Sequence, residues 1–452
     1  MTAAIAALLA AHHSVGEGRA PGKGPRRRLV DVPKVFWEPP SHINERGTDP
    51  MTEQSSRPAY RWIIVFAAAA ILAIAMGAIV NGMSAFIVPM QERFGWTRGE
   101  AALINLAGLV GLAFGGVVSG RLADRIGARP VILLGVVVLG LCYLAAYFLS
   151  SLWQFYAVFA IAGFLGAGAI FAPVMALVGN WFAAGAGLAI GIVSAGQALG
   201  QGGVPFASSF LIEAYGVQGA LGITGAVMLA VMVPLSWLMR PAAVEAARPV
   251  AANADAEATT LPYNVVIVRM SAAIILCCTC MSVPLMHLVP LVQDAGFPAE
   301  DASSVIFAMM VSAIFGRVAF GKLADMIGAV RAYMTATAWM TAMVFGFVWL
   351  ESLRVFYVYA IVYGFGYAGV MTGVLTTIRA LTPAQRLGAA MGIIGMFGWF
   401  GHATGGYLGG LLHDITGAHD AAYAVAAVAG LLNLIIVSTL RPRRRQPDFA
   451  VA

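Results

Sequence analysis

Long apolar stretches separated by short polar turns fill the chain from residue 61 to residue 440. At a rise of 1.5 Å per residue, about 20 largely apolar residues are needed to cross a bilayer as a helix. Twelve stretches approach or exceed that length: 61–90, 101–120, 130–150, 153–179, 186–212, 218–239, 266–292, 302–321, 331–349, 355–380, 387–412 and 420–440. They predict an all-α membrane protein with twelve transmembrane helices, numbered here as spans 1 to 12. Most turns are short, as neighbouring antiparallel helices require. The exception is 241–261, rich in Ala and Pro and carrying Glu245, Arg248, Asp255 and Glu257. It reads as a cytoplasmic linker between two six-helix bundles, 61–240 and 262–440. Residues 1–60 read as a disordered cytoplasmic tail, or as sequence ahead of a true start at Met51. Met1 to Ala11 is apolar but too short to span and has no basic segment before it, so it makes a poor signal peptide. Residues 441–452 form a basic tail.

Composition removes other classes. Apolar residues make up 60% of the chain and charged residues 11%, with a mean hydropathy of +0.83. Soluble domains hold about 25% charged residues, so a soluble enzyme, a nucleic-acid binder and a disordered scaffold are all disfavoured. The net charge of +6 follows topology: of 27 Lys and Arg, 23 fall on the side of the two termini. Three (Arg93, Arg98 and Arg354) fall on the other side, and Arg317 lies within a span. By the positive-inside rule both termini are cytoplasmic, in the inner membrane of a bacterial-type cell. Four cysteines in no pairing pattern argue against a disulfide framework. Cys277, Cys278 and Cys280 crowd span 7 without sharing a face, so no metal site is read there. No spaced nucleophile, base and oxyanion set appears, and no enzyme activity, cofactor or metal is expected.

The chain repeats itself at an offset of 201 residues. Gly120-Arg-Leu-Ala-Asp124-Arg-Ile-Gly127-Ala falls on Gly321-Lys-Leu-Ala-Asp325-Met-Ile-Gly328-Ala, and from Pro89 to Ala128 15 of 40 positions are identical. The same register later pairs Phe155-Tyr156 with Phe356-Tyr357, Gly187 with Gly388 and Gly216 with Gly417. Six spans separate the copies, an even number, so both run in the same orientation across the membrane. Parallel repeats of this kind build alternating-access carriers, with the substrate site between the halves near the midplane. The repeated turn sits on the cytoplasmic side after spans 2 and 8. Its glycines allow a tight turn and close approach, and Asp124 and Asp325 could each pair with a basic group to latch one conformation. The plainer alternative is a topology-setting basic turn with a helix cap.

With these residues the chain resembles the major facilitator superfamily over about 61–440, the G-x-L-A-D-x-x-G turn being that family's signature. Within it the chain is similar to the monocarboxylate-transporter and oxalate–formate-antiporter branch. The segments that carry this are Phe94-Gly-Trp-Thr-Arg-Gly-Glu100, Asn180-Trp-Phe182 with Gly187-Leu-Ala-Ile-Gly191, His287-Leu-Val-Pro290 and Gly316-Arg317. The resemblance implies transport of small carboxylates such as lactate or pyruvate, with an inner ring of helices 1, 4, 7 and 10 and a helix 8 Arg that binds the carboxylate. A monomer is expected in the lipid bilayer, with protons as a possible co-substrate. Two departures limit the carry-over. Ser84 and Ala313 stand where animal monocarboxylate carriers place a Lys and an Asp, so that proton-coupling scheme does not transfer intact. Ala183-Ala-Gly-Ala-Gly187 stands where related chains often carry basic residues. Carboxylate anion exchange and efflux of organic solutes or drugs are the alternatives, although a cationic drug would want a buried acid.

Arg317 is the sharpest candidate for substrate binding. It lies about 7–8 Å on the cytoplasmic side of the middle of span 8. Charge at that depth is costly unless it faces a polar cavity, and no Asp or Glu lies mid-span to neutralise it. A guanidinium matches a carboxylate in bidentate geometry; the alternative is snorkelling to the cytoplasmic interface. His402 in span 11, three residues after Trp399, could bind an anion or carry a proton, or simply pack. Its repeat mate is Gln201, one turn beyond Gln197. His287 in span 7 is a second proton candidate or a structural residue near the helix end. Asn81, Tyr363 and Tyr367 are further cavity candidates by the helices that hold them.

Overall fold

The computed structural model describes residues 59–182, 184–241 and 261–440. The readings made of the N-terminal tail, the central linker and the C-terminal tail fall almost entirely outside the described residues. Helix α1 covers 60–94 in four pieces: an α-helix Tyr60–Met76, a π turn Gly77–Asn81, a 3-10 turn Gly82–Phe86 and an α-helix Ile87–Phe94. Helices α2 (Arg98–Ile126) and α3 (Ala128–Ala146) follow, then α4 over 152–181 with a π turn at Ala162–Ala167. The stretch Ala186–Trp237 breaks at Gly216, where φ is 70° and ψ is 177°, into α5 (186–215) and α6 (217–237). The second half holds α7 (Tyr263–Asp294), α8 (Ala299–Ile327) and α9 (Ala329–Val344, continued by a 3-10 turn Phe345–Trp349). It ends with α10 (Leu353–Leu381), α11 (Leu387–Thr416) and α12 (Asp420–Ser438).

Among the described residues nine helices are long and apolar enough to cross a membrane, counting Ala186–Trp237 once. The two halves of that broken helix, together with α9 and α11, bring the rods to twelve. Phe148, Phe206 and Phe307 are more than 60% exposed on the protein surface. Water would penalise such a surface and lipid does not, while the helices satisfy most of their backbone polar groups internally.

Local signals set the breaks. In the segment 94–100, Gly95 ends α1 with φ of 74° and Trp96 stacks on Phe94 at 4.4 Å. Thr97 then opens α2 with a capping box: the Glu100 amide donates to Thr97 Oγ1 (3.2 Å) and the Thr97 amide to Glu100 Oε2 (2.8 Å). A branch-like motif is therefore, physically, a helix stop followed by a helix start.

The 201-residue repeat holds in the backbone as well as in the letters. Gly127 and Gly328 share one conformation (φ 92° and 91°, ψ 151° and 147°), whereas Gly216 and Gly417 share φ (70° and 69°) but differ in ψ (177° and 11°). In the same register the turn after α2 matches the turn after α8, and the α5–α6 break matches the α11–α12 turn. The chain enters α1 and leaves α12 on the same face, called the terminal face here.

Candidate functional site

The two halves meet through backbone contacts near the terminal face. Asp124, in the last turn of α2, accepts hydrogen bonds from the amides of Gly388 (2.9 Å) and Ala389 (2.8 Å) in the first turn of α11. Asp325, near the end of α8, accepts from the amides of Gly187 and Leu188, 2.8 Å each, in the first turn of α5. The donor pairs 187–188 and 388–389 are themselves one repeat apart. First-turn amides have no partner inside their helix, and a helix N-terminus carries partial positive charge. The carboxylates therefore find their positive partner in the partial charge of backbone amides. Sequence reasoning expected a basic side chain, yet among the described residues neither Asp makes an ion pair with one.

Glycine permits this approach. A Cβ at Gly120 would sit 2.1 Å from the Gly388 carbonyl oxygen, and one at Gly187 would sit 2.2 Å from the Gly321 carbonyl oxygen. A third tie was missed in the sequence. Arg379 of α10 donates through Nε to the Gly179 carbonyl (2.7 Å) and through Nη2 to the Phe182 carbonyl, both at the end of α4. It has no repeat mate, since Val178 stands at the corresponding position. These contacts join the two halves at the terminal face, where they could act as a gate.

The double variant Asp124→Asn/Asp325→Asn tests this gate. A hydrogen bond to a charged group is worth about 1.5–3 kcal/mol. Losing charge at two helix N-termini should therefore shift the closed–open balance roughly tenfold or more. Electron–electron distance measurements between spin labels at Arg125 and Gln385, one on each half, should show a longer population grow. An unchanged distribution would mean that the glycine contacts alone hold the gate.

Arg317 lies eight residues before Asp325 on α8, about 12 Å further from the terminal face. Its side chain is buried and reaches across to α5. Nη1 donates to the Ser194 carbonyl (2.6 Å) and to Ser194 Oγ (3.1 Å). Nε is buried without a partner. Thr372 Oγ1 of α10 donates to the Arg317 carbonyl (3.2 Å), and Tyr367 of the same helix lies in electrostatic range of the guanidinium. Among the described residues no carboxylate pairs with Arg317. One guanidinium nitrogen is thus anchored across the halves while Nε has no acceptor.

A polar seam leads away from this point. Ser194, Gln197 and Gln201 recur at i, i+3 and i+7 and so share one face of α5. About 10 Å along the axis from Ser194, Asn81 Nδ2 donates to the Gln201 carbonyl (3.1 Å). Asn81 ends the π turn of α1, with φ of −120° and ψ of −16°. The carbonyls that this break frees are satisfied from neighbouring helices, Ala78 by the Tyr143 hydroxyl (2.9 Å) and Val80 by Asn105 Nδ2 (3.3 Å). Discontinuous helices of this kind are how carriers present polar backbone near a substrate.

The remaining candidates are placed elsewhere. Tyr363 is fully buried, its ring 5.1 Å from Phe347 and 5.9 Å from Tyr367, in the packing between α9 and α10. His287 Nε2 lies 3.0 Å from the Gly406 carbonyl and ties α7 to α11 within the C-terminal half. His402 is half-buried with its ring 6.5 Å from Trp399, edge to face. The structure therefore groups Arg317 with Tyr367 and Ser194, Asn81 with Gln201, and His402 with Trp399.

Comparison with known proteins gives this architecture a family. The family model described as Major Facilitator Superfamily matches residues 65–353 and 270–450. The chain belongs to the major facilitator superfamily. It is 27% identical over 386 residues to monocarboxylate transporter 13 of Rattus norvegicus, covering 84% of this chain and 88% of the relative. It is 25% identical over 283 residues to the fujikurins efflux protein of Gibberella fujikuroi, covering 62% and 60%. Among solved structures, the transporter FucP in its outward conformation matches with a TM-score of 0.66 at 14% identity, covering 85% of this chain and 100% of that one. This major facilitator protein is an integral membrane transporter with a small-molecule substrate, not an enzyme. As the sequence reading expected, monocarboxylate transporters are among the carriers it resembles.

Proposed function

We propose that this transporter moves small monocarboxylates such as lactate or pyruvate across the inner membrane by alternating access. In this reading it works as a monomer with both termini in the cytoplasm, so the terminal face is the cytoplasmic face. The observation that carries the proposal is Arg317: a buried guanidinium at the junction of the halves, tied to Ser194 and, among the described residues, without a carboxylate partner. A substrate carboxylate would supply the missing anion, taking the Nε edge in a bidentate or single charge-assisted bond. Tyr367, Gln201, Asn81 and His402 would line the rest of an otherwise apolar cavity. The relatives named as monocarboxylate transporters support the substrate class.

Carboxylate exchange is a second reading, favoured by the lack of any mid-span Asp or Glu in the sequence. Proton symport would need His402, His287 or the substrate itself to carry the proton, whereas exchange needs none of them. Equilibrium binding to the purified transporter tests the substrate class. Lactate should bind at least tenfold more tightly than lactamide, which has the same shape and no charge. Equal affinity would remove Arg317 from the site and favour a neutral organic solute.

A further inference from the structure

A second cluster of chemically able side chains lies on the face opposite the termini, away from the gate and Arg317. Asp294 is the last residue of α7, His413 lies in the last turn of α11, and His419 caps the start of α12. One ligand atom from each lies within 4.8 Å of the other two. His419 Nε2 stands 2.8 Å from Asp294 Oδ2, and the two imidazoles stack at 4.4 Å with an interplanar angle of 28°. His419 is only 8% exposed, and the Nδ1 atoms of both histidines are buried without a hydrogen-bond partner. Buried polar nitrogens are normally satisfied, and exceptions point to water, an ion or a functional role.

We propose that Asp294, His413 and His419 form a binding site for a borderline divalent cation, zinc foremost. Two imidazoles and one carboxylate are a usual ligand set for zinc, with bonds of about 2.0–2.2 Å and a fourth position left to water. A tetrahedral ion holds its ligand atoms about 3.3 Å apart at such bond lengths. The His419–Asp294 contact would open by about half an ångström to admit the ion, and the third ligand, within 4.8 Å, would close by at most about 1.5 Å. Oxygen-seeking calcium or magnesium is disfavoured, because two of the three donors are nitrogens. The ion would join the ends of α7, α11 and α12 on one face of the C-terminal half. Nothing in sequence order announces the site, since its members lie 119 and 6 residues apart.

The test uses the full-length protein, purified without a histidine tag, stripped with chelator and titrated with zinc chloride by calorimetry. Cobalt absorption spectra serve as a second readout. One saturable zinc site is expected. It should weaken at least tenfold in Asp294→Asn and be lost in His413→Ala and in His419→Ala, with a tetrahedral cobalt spectrum that disappears in the same variants. Two control variants should keep the site: Cys277→Ser/Cys278→Ser/Cys280→Ser, which removes the thiols of α7, and His12→Ala/His13→Ala/His42→Ala, which removes the N-terminal histidines. Monodisperse elution establishes folding for each variant. If His419→Ala does not fold, His413→Asn, which leaves the buried His419 in place, carries the test. No saturable binding, binding unchanged in folded His413 and Asp294 variants, or binding lost in either control would overturn the proposal.

Discussion

Replacing Arg317 by Gln is expected to lower carboxylate binding and exchange by two orders of magnitude or more. Truncating one partner of a buried, hydrogen-bonded charge pair costs about 2–5 kcal/mol, and 1.4 kcal/mol is a factor of ten. Gln keeps a hydrogen-bond donor and much of the volume but removes the charge and the planar fork. Arg317→Lys should fall between the two, because an ammonium keeps the charge yet offers no bidentate geometry. The substitution has a second consequence that must be read separately. Arg317 Nη1 also joins α8 to α5 through Ser194, so its loss can loosen the gate. The spin-label pair at Arg125 and Gln385 reports that effect independently of substrate. An Arg317→Gln transporter with full exchange activity would show that the guanidinium is a structural tie and not an anchor.

Gly187→Val should abolish exchange by a different route. The first added atom would lie 2.2 Å from the Gly321 carbonyl oxygen and 2.8 Å from Asp325 Oδ1. Neither a backbone carbonyl nor a helix N-terminus can yield by the ångström needed without separating α5 from α8. The closed terminal face should therefore become inaccessible, with the protein held in the alternative state. Alternating access requires both states, so exchange should stop while the folded fraction stays high. Distances between labels at Arg125 and Gln385 should shift to the long population. The repeat-related change Gly388→Val should act in the same way, because a Cβ there would meet the Gly120 carbonyl oxygen at 2.6 Å. Activity retained in both variants would mean that the closed face is not visited during transport.

Much of the architecture was legible in the sequence, because apolar stretch length and the 201-residue repeat are local and translational signals. Span 7, read as 266–292, is the helix Tyr263–Asp294, and the gap between spans 5 and 6 falls on the break at Gly216. Gly127 and Gly328, singled out by the repeat, adopt the positive φ that such turns demand. The partners across space were not legible. Asp124 bonds to residues more than 260 positions away, and its partners are backbone amides, which no side-chain pattern marks. The Ser194 partner of Arg317 and the Arg379 clamp on α4 depend on how the halves dock, as does the cluster of Asp294, His413 and His419. The π turn ending at Asn81 was also hidden, because its residues are as apolar and helix-compatible as their neighbours. It starts where α1 lies close against α5: a Cβ at Gly77 would meet the Gly200 carbonyl oxygen at 2.4 Å.

The decisive measurement is counterflow of labelled lactate into sealed proteoliposomes preloaded with unlabelled lactate. A small-carboxylate carrier gives a transient accumulation of label that pyruvate suppresses, that lactamide leaves untouched and that protein-free liposomes lack. Preloading with lactate, pyruvate, formate or oxalate and finding no accumulation in any case, from protein that is folded and inserted, would contradict carboxylate transport and leave an organic-solute carrier in its place.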